Sequence, residues 1–182
     1  MSSVPSPFES TLLPHLPSAY NLARWLLRHD HDAEDAVQDA CLRAHAAFAN
    51  FRGGDGRAWL LTIVRNVCWS RLRHARGGAA DPGIEFDEEL HGATDPGAEA
   101  RAVEWRETRR EWLQRALEKL PAPAREILVL REIEGLAYRE IASVVGLPIG
   151  TVMSRLARAR SRLQGEVAEL QRDDPESTHR LQ

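Results

Sequence analysis

The amino-acid sequence predicts an all-α protein made of two small helical domains joined by a flexible acidic linker. Apolar residues recur at helical spacing on both sides of the chain's middle. Residues 77–100 interrupt this pattern, with seven acidic residues and no Lys or Arg. Because such a composition buries too little apolar surface to fold alone, we place the domains at residues 10–76 and 98–172 and the linker at 77–97.

Length and composition limit the functional classes. A chain of 182 residues suffices for two small domains. The net charge of −3 argues against a general nucleic-acid coat, yet both flanks of the acidic stretch are net basic. Cys41 and Cys68 lack CxxC spacing and are interpreted as core residues in a reducing cytoplasm. No apolar run approaches the roughly twenty residues of a membrane span, and no signal-peptide pattern opens the chain, so we expect a cytoplasmic protein without membrane insertion.

The first elements are defined by prolines and by apolar periodicity. Residues 1–17 carry four prolines and are predicted to be mostly irregular. Tyr20, Ala23 and Leu27 then indicate a helix from residue 18. A second helix is predicted over residues 32–48, capped by Asp32. Its expected buried residues are Val37, Cys41, Ala44 and Phe48. Its expected outward residues are Asp35, Gln38 and Asp39.

A glycine-rich turn at residues 50–57, NFRGGDGR, precedes a long predicted helix over residues 58–76. One face of this helix is apolar. The other is basic with an aromatic ring and an amide set into it, and comprises Thr62, Arg65, Asn66, Trp69, Arg73 and Arg76. Arginines neutralise phosphates, an indole ring can stack on an unpaired base, and an amide can bind a base edge. The alternative is an ordinary solvated basic face.

Two further helices are predicted beyond the linker, over residues 101–120 and 124–134. The first offers Trp105, Trp112, Leu113, Ala116 and Leu120 to a core. Pro121 and Pro123 separate the two helices, and Gly135 ends the second.

The stretch from residue 136 to 163 predicts a helix-turn-helix. Gly146 suits the positive φ that ends a helix, and Pro148 suits the entry to the next. The inward side of the second helix is predicted to carry Val152, Leu156, Ala159 and Leu163. Its outward side and flank carry Thr151, Met153, Ser154, Arg155, Ala157 and Arg158. Short side chains allow a close approach to a DNA groove, and arginines reach phosphates or guanine edges, although an amphipathic helix with a solvated basic face has the same pattern.

Two groups of motifs resemble the extracytoplasmic-function sigma factors of the sigma-70 family. The stretches DAEDAVQDACLRAH, FRGGDGRAWLLTIVRN and RLR resemble region 2 of that family, and residues 120–163 resemble region 4. They occur in the family's order. The resemblance implies a sigma factor that binds core RNA polymerase and directs initiation at promoter DNA, with no cofactor and no catalytic residue.

The resemblance also implies roles for particular residues. In the family, the outward face of the first motif's helix binds the polymerase clamp, which here places Asp35, Gln38 and Asp39 at that contact. The turn and long helix would capture a flipped base of the −10 element. Residues implied there are Asn50, Phe51, Arg52, Arg65, Asn66, Trp69 and Arg73. The −35 element would be read by Thr151, Met153, Ser154, Arg155, Ala157 and Arg158.

Three positions within the region 4 match depart from the family pattern. Members often have a basic residue where Met153 stands and a bulky one where Ala157 stands, so we expect fewer direct base contacts there, or apolar contact with a thymine methyl. Ala137 stands where Ser normally caps the first helix, which should weaken that helix by about 1 kcal/mol. The family also implies an anti-sigma factor, and leaves open whether the acidic linker is a tether or occupies the RNA path.

Two other functions compete with this interpretation. The run His29–Asp30–His31–Asp32 has the chemistry of a metal-binding HD pair, but no second ligand cluster accompanies it, so we expect no metal. A stand-alone helix-turn-helix regulator would explain the C-terminal half of the chain but not the basic, tryptophan-bearing helix of the N-terminal half.

Overall fold

The computed structural model describes residues 6–75 and 102–173, and of residues 102–110 it describes only the helix. The N-terminal domain, residues 6–75, contains α1 (Pro7–Leu12), α2 (Leu16–Leu27), α3 (Asp30–Ala47) and α4 (Gly56–Ala75). The C-terminal domain, residues 102–173, contains α5 (Ala102–Lys119), α6 (Ala122–Leu128), α7 (Tyr138–Val145) and α8 (Ile149–Asp173). All regular elements in these two ranges are helical, which confirms the predicted fold class. The predicted linker lies outside the described residues.

The start of the described chain is helical, and our prediction of mostly irregular structure was wrong from Pro7 onward. Ser6 and Glu9 form a capping box in which the Glu9 carboxylate accepts from the Ser6 N–H at 2.7 Å and the Ser6 hydroxyl accepts from the Glu9 N–H at 3.2 Å. Pro7, Pro14 and Pro17 each lie in the first turn of a helical segment. Because the N–H groups of a first turn have no intrahelical partner, proline is tolerated there.

Helix α3 packs through a stripe of alanines. Its buried residues are Ala33, Ala36, Ala40 and Ala44. Val37, Cys41 and Phe48, which we expected to be buried, are only half-buried, so we predicted the inward face with a slight error in its rotation about the helix axis. Because helix separation depends on the side chains at the contact, a methyl-only face allows α2 and α4 to approach α3 closely.

The two domains share one apolar core. Leu22 and Leu26 of α2 and Leu60, Leu61 and Val64 of α4 belong to the same cluster of buried side chains as the C-terminal domain's core. That core contributes Ile127, Leu128, Leu130, Ile141, Val152 and Leu156. Helix α4 packs against α7, and α2 packs against α6. In this structure the domains are therefore closed on each other.

Helix α6 continues into a π-helical turn, Val129–Ile133, before Gly135 ends it with a φ of 67°. The Glu134 N–H donates to the Val129 carbonyl at 2.9 Å, which is the wider bonding pattern of a π turn. At the start of α6, the buried Arg125 donates to the carbonyls of Leu120 at 3.0 Å and Glu118 at 3.2 Å, at the C-terminal end of α5. Burial lowers the pKa of Arg125 to about 10.

Cys68 is buried and Cys41 half-buried, and both are free thiols. Burial raises the pKa of Cys68 to about 12, which makes it a poor nucleophile. Cys68 is a core residue, as the sequence predicts, whereas Cys41 lies at the edge of the core.

Among the described residues, no helix taken singly has the length and apolar character needed to cross a membrane, and α7 and α8 meet those criteria only when combined across their bend.

Two helical glycines, Gly56 and Gly165, provide a matched test of the packing of α1 on α4. A methyl group at Gly56 would lie 2.7 Å from Thr11 Cγ2 and 3.1 Å from the Thr11 carbonyl, whereas one at Gly165 meets nothing within 4 Å. Because Ala is favoured over Gly inside a helix by about 0.5–1 kcal/mol, Gly165→Ala should raise the free energy of unfolding by up to that amount. Gly56→Ala should lower it. Thermal unfolding followed by circular dichroism measures both, and equal gains would show that α1 does not pack tightly on α4.

Candidate nucleic-acid interface

Helices α7 and α8 form the predicted helix-turn-helix, crossing at 99°. Gly146 is the left-handed C-cap of α7, with a φ of 68° and its N–H donating to the Ala142 carbonyl. Ile141 on α7 and Val152 and Leu156 on α8 are fully buried where the helices cross. This buried contact determines which face of α8 points toward solvent.

The outward face of α8 is the one that the sequence predicts. Met153, Ser154, Ala157 and Arg158 are exposed, while Thr151 and Arg155 are half-buried at the flank. The Ser154 hydroxyl donates to the Thr151 carbonyl at 3.0 Å, so it folds back on the helix. The result is a face of short side chains with arginines further along, which is compatible with entry into a major groove.

Ala137 precedes α7 without a side-chain cap, as expected. The Glu140 carboxylate nevertheless accepts from the Ala137 N–H, which supplies half of a capping box. The other half, a side-chain oxygen at residue 137, is missing because Ala carries none.

The C-terminal domain covers part of the basic surface of α4 and leaves the rest exposed. Asn66 and Arg73 are exposed. Arg65 and Trp69 instead turn toward Glu126 of α6: Arg65 Nε lies 2.9 Å from Glu126 Oε1, and the Trp69 indole N–H donates to that oxygen at 2.6 Å. The structure therefore leaves part of the predicted −10 surface open and covers the rest.

The turn before α4 carries Asn50 and Arg52 on the surface. Phe51 is half-buried, with its ring stacked on Phe48 at 5.8 Å between centroids and inclined to Trp59 at 4.7 Å. Phe51 thus belongs to an aromatic cluster, and this packing sets the position of Asn50 and Arg52 on either side of it.

The outer face of α3 presents Asp35 and Gln38 to solvent, with Asp39 partly exposed beside Arg43. Leu42 on the same face is 68% exposed. Sequence reasoning missed Leu42, although its spacing of three residues from Asp39 and four from Gln38 places it on that face. The face therefore combines carboxylates, an amide and one large apolar side chain.

Glu126 and Glu134 are buried carboxyl groups whose pKa values shift in opposite directions. Burial raises the pKa of Glu126, against the opposing effects of Arg65 and the Trp69 N–H. Burial acts on Glu134 in the same direction, but hydrogen bonds from Ser18, Asn21 and Arg57 outweigh it and hold that pKa below its usual value.

Residues 6–75 and 102–173 contain no group of three or more His, Cys, Asp or Glu side chains arranged to hold a metal ion. In the HD-like run, Asp30 pairs with Arg24 and accepts from the Tyr20 hydroxyl at 3.3 Å. Its carboxylate thus has protein partners, and the run is the start of α3.

Comparison with known proteins identifies both domains. The sigma-70 region 2 family matches residues 12–77, and the sigma-70 region 4 family matches residues 110–163. The chain is 36% identical over 157 residues to the ECF RNA polymerase sigma factor SigM of Mycobacterium tuberculosis, covering 86% of this chain and 74% of SigM. The chain belongs to the ECF sigma factors.

Other relatives and solved structures agree with this membership. SigE of Mycolicibacterium smegmatis is 33% identical over 167 residues, a match that covers 92% of this chain and 63% of SigE. The Bartonella quintana sigma factor RpoE, solved in complex with the anti-sigma factor NepR, is 31% identical with a TM-score of 0.66 over 88% of this chain and 96% of RpoE. CnrH, solved with the cytosolic domain of CnrY, is 26% identical with a TM-score of 0.57 over 92% of this chain and 89% of CnrH. The region 2 match accounts for the N-terminal domain, which a stand-alone helix-turn-helix regulator would leave unexplained.

The incomplete cap of α7 offers a test of the helix-turn-helix anchoring. Ala137→Ser supplies the missing acceptor and should raise the free energy of unfolding by about 0.5–2 kcal/mol. Ala137→Val has no acceptor and serves as the control. Urea denaturation of the three proteins compares them, and equal stability of the Ser and wild-type proteins would contradict a role for residue 137 as N-cap.

Proposed function

We propose that this sigma factor binds core RNA polymerase through α3, opens the −10 element on α4 and reads the −35 element with α8. The observation that carries the proposal is the outward face of α8, whose small and basic residues are held away from the core by a helix crossing of 99°. Residues 10–76 supply the first two activities, residues 98–172 supply the third, and residues 77–97 connect them.

Reading of the −35 element is assigned to Thr151, Met153, Ser154, Arg155, Ala157 and Arg158. Arg158 is placed for a guanine edge or a phosphate, both of which a guanidinium binds. Met153 is 51% exposed, and an apolar side chain there fits contact with a thymine methyl.

Capture of the −10 strand is assigned to Asn50, Phe51, Arg52, Arg65, Asn66, Trp69 and Arg73. Asn66 is exposed on α4 and offers an amide to a base edge. Trp69 offers a ring for stacking, and the arginines neutralise phosphates. Strand opening by this route uses binding energy, so no catalytic residue is required.

Core binding is assigned to Asp35, Gln38 and Asp39, and we add Leu42 to this set. An exposed aliphatic side chain on the same face as Asp35, Gln38 and Asp39 can add apolar contact to a protein-binding surface. Because α3 packs through the opposite, alanine face, polymerase can cover this surface without disturbing the fold.

The remaining partners and the place of action follow from the same function. RpoE was solved in complex with the anti-sigma factor NepR, and CnrH with the cytosolic domain of CnrY. We propose that an anti-sigma factor likewise binds this chain, and that the chain acts in the cytoplasm. The acidic linker remains open to two roles, a tether or a segment in the RNA path.

Transcription assays test the core-binding assignment. Wild-type protein with purified core polymerase should initiate on genomic fragments at discrete start sites. The Asp35→Ala/Gln38→Ala/Asp39→Ala protein should keep its helicity but bind core more weakly and lose run-off transcripts, since these residues face away from the core of the fold. A folded triple variant with normal core affinity would remove α3 from the interface.

Two substitutions separate the DNA-reading surfaces. Arg158→Ala should weaken binding to the −35 element by about 1–3 kcal/mol if the side chain reaches a guanine, and by less, without sequence preference, if it contacts phosphate. Asn66→Ala should leave that binding unchanged and reduce permanganate reactivity of −10 thymines, which reports strand opening. An unchanged open complex would contradict base capture by Asn66.

A further inference from the structure

Helix α1 packs against both ends of the turn that is proposed to capture the −10 strand. The Phe8 ring lies 5.3 Å from the Phe48 ring between centroids, edge to face at 87°, and Phe48 in turn stacks on Phe51 at the start of the turn. At the other end, Thr11 lies against Gly56, the first residue of α4. One short helix therefore contacts the residues between which the turn is suspended.

The turn, residues 50–55, has an unpacked tip. Gly53 and Gly54 have φ values of 83° and 104°, and a methyl group at either position would meet nothing within 4 Å. Asn50 and Arg52 are exposed. Because glycine loses more conformational freedom on ordering than any other residue, the positions of these two side chains depend on the contacts at the ends of the turn.

Local contacts order the same two ends. The Asp55 carboxylate accepts from the Ala58 N–H at 3.1 Å and so caps α4, while Phe51 packs on Trp59 at 4.7 Å between ring centroids. These contacts join near neighbours in the sequence and move together with the turn. Helix α1 instead connects the turn to a distant segment of the chain, which fixes it relative to the rest of the domain.

Helix α1 is itself well anchored. Its capping box orders its first turn, and Leu12 at its end is 2% exposed. The Thr11 hydroxyl donates to the Pro7 carbonyl at 2.7 Å, which leaves the Thr11 methyl group to face Gly56. The region 2 match begins at Leu12, so it assigns no role to the residues of α1 that precede it.

We propose that α1 is a positioning element for −10 capture, in which Phe8 and Thr11 keep the turn in the conformation that receives the unpaired strand. The inference rests on the proposed function of the turn and α4. A segment that is ordered before binding loses less conformational freedom when its ligand binds. Phe8 and Thr11 thus favour strand opening through Phe48 and Gly56, as positioning residues.

The first test truncates Phe8 in the full-length protein, assembled with core polymerase on the genomic fragment that gives the strongest wild-type run-off transcript. Phe8→Ala should lower permanganate reactivity of the −10 thymines at least about fivefold, because DNA must then remove the backbone freedom that the turn regains. Affinity for core polymerase and for the −35 duplex should stay at wild-type values, since the alanine stripe of α3 and the crossing of α7 and α8 do not include Phe8.

Two further variants control this test. Phe8→Tyr keeps the aromatic ring and should return permanganate reactivity to the wild-type level. Leu13→Ala is the matched control, since Leu13 directly follows α1 and is 54% exposed. It removes a large apolar side chain from the same segment and should change none of the three measurements. All variants are compared at a temperature at which circular dichroism shows each of them folded.

The second test acts on the other end of the turn. A methyl group at Gly56 would lie 2.7 Å from Thr11 Cγ2, so Gly56→Ala should also lower permanganate reactivity. Thr11→Ser removes that methyl group, and the Gly56→Ala/Thr11→Ser protein should recover part of the loss, since the Thr11 carbonyl at 3.1 Å remains close. A folded double variant with no recovery would remove Thr11 from the positioning role.

Unchanged strand opening by a folded Phe8→Ala protein overturns the proposal. An equal loss of core binding, −35 binding and strand opening also overturns it, because such a loss shows general destabilisation. Both results leave the proposed function intact as long as the wild type initiates normally. If the wild type with core polymerase initiates on no genomic fragment, the proposed function itself fails, whatever the variants do.

Discussion

A carboxylate withdrawn from water must be paired, and the direct contacts of Glu126 with Arg65 and Trp69 cross the boundary between the two domains. Arg65 and Trp69 provide the partners, and both belong to α4. Removal of one member of such a buried pair typically costs about 3–5 kcal/mol, which is comparable to truncating a buried aliphatic side chain. The relative position of α4 and α6 therefore depends on this charged contact together with the surrounding aliphatic side chains.

The charged contacts between the domains change the free energy needed to separate them. Two domains joined only by leucines and valines would separate reluctantly in water, because opening would expose a large apolar surface. Arg57, Arg65 and Glu134 can each be hydrated after opening, which lowers the penalty of the open state. Opening would still expose the aliphatic side chains that the two domains share, so the charged contacts reduce the cost of separation without removing it.

Local patterns predicted much of this structure. The helix-turn-helix, the outward face of α8 and the helical span of α4 follow from apolar periodicity and from Gly146, because these signals lie within a few residues of one another. The start of α1 was mispredicted because proline ends helices and also begins them. The inward face of α3 was predicted with a slight error in its rotation about the helix axis. Alanine is common on both faces of helices and therefore indicates the core only weakly.

The contact between Glu126 and Arg65 joins residues far apart in the chain and carries no local signal. Charge spacing within α4 predicted a basic surface, and Asn66 and Arg73 remain exposed on it. Nothing in that spacing distinguishes Arg65 from Arg73 as the partner of a distant carboxylate. The part of the site that depends on tertiary contact thus required the structure, whereas the part that depends on helix geometry did not.

The alanine stripe of α3 has an evolutionary consequence. A methyl group has no rotamers, so Ala33, Ala36, Ala40 and Ala44 transmit no side-chain rearrangement from one side of the helix to the other. The exposed side of α3 can accumulate substitutions while the hydrophobic contacts beneath it stay unchanged. Residues such as Leu42 and Gln38 can then change one at a time, without compensating changes in the interior.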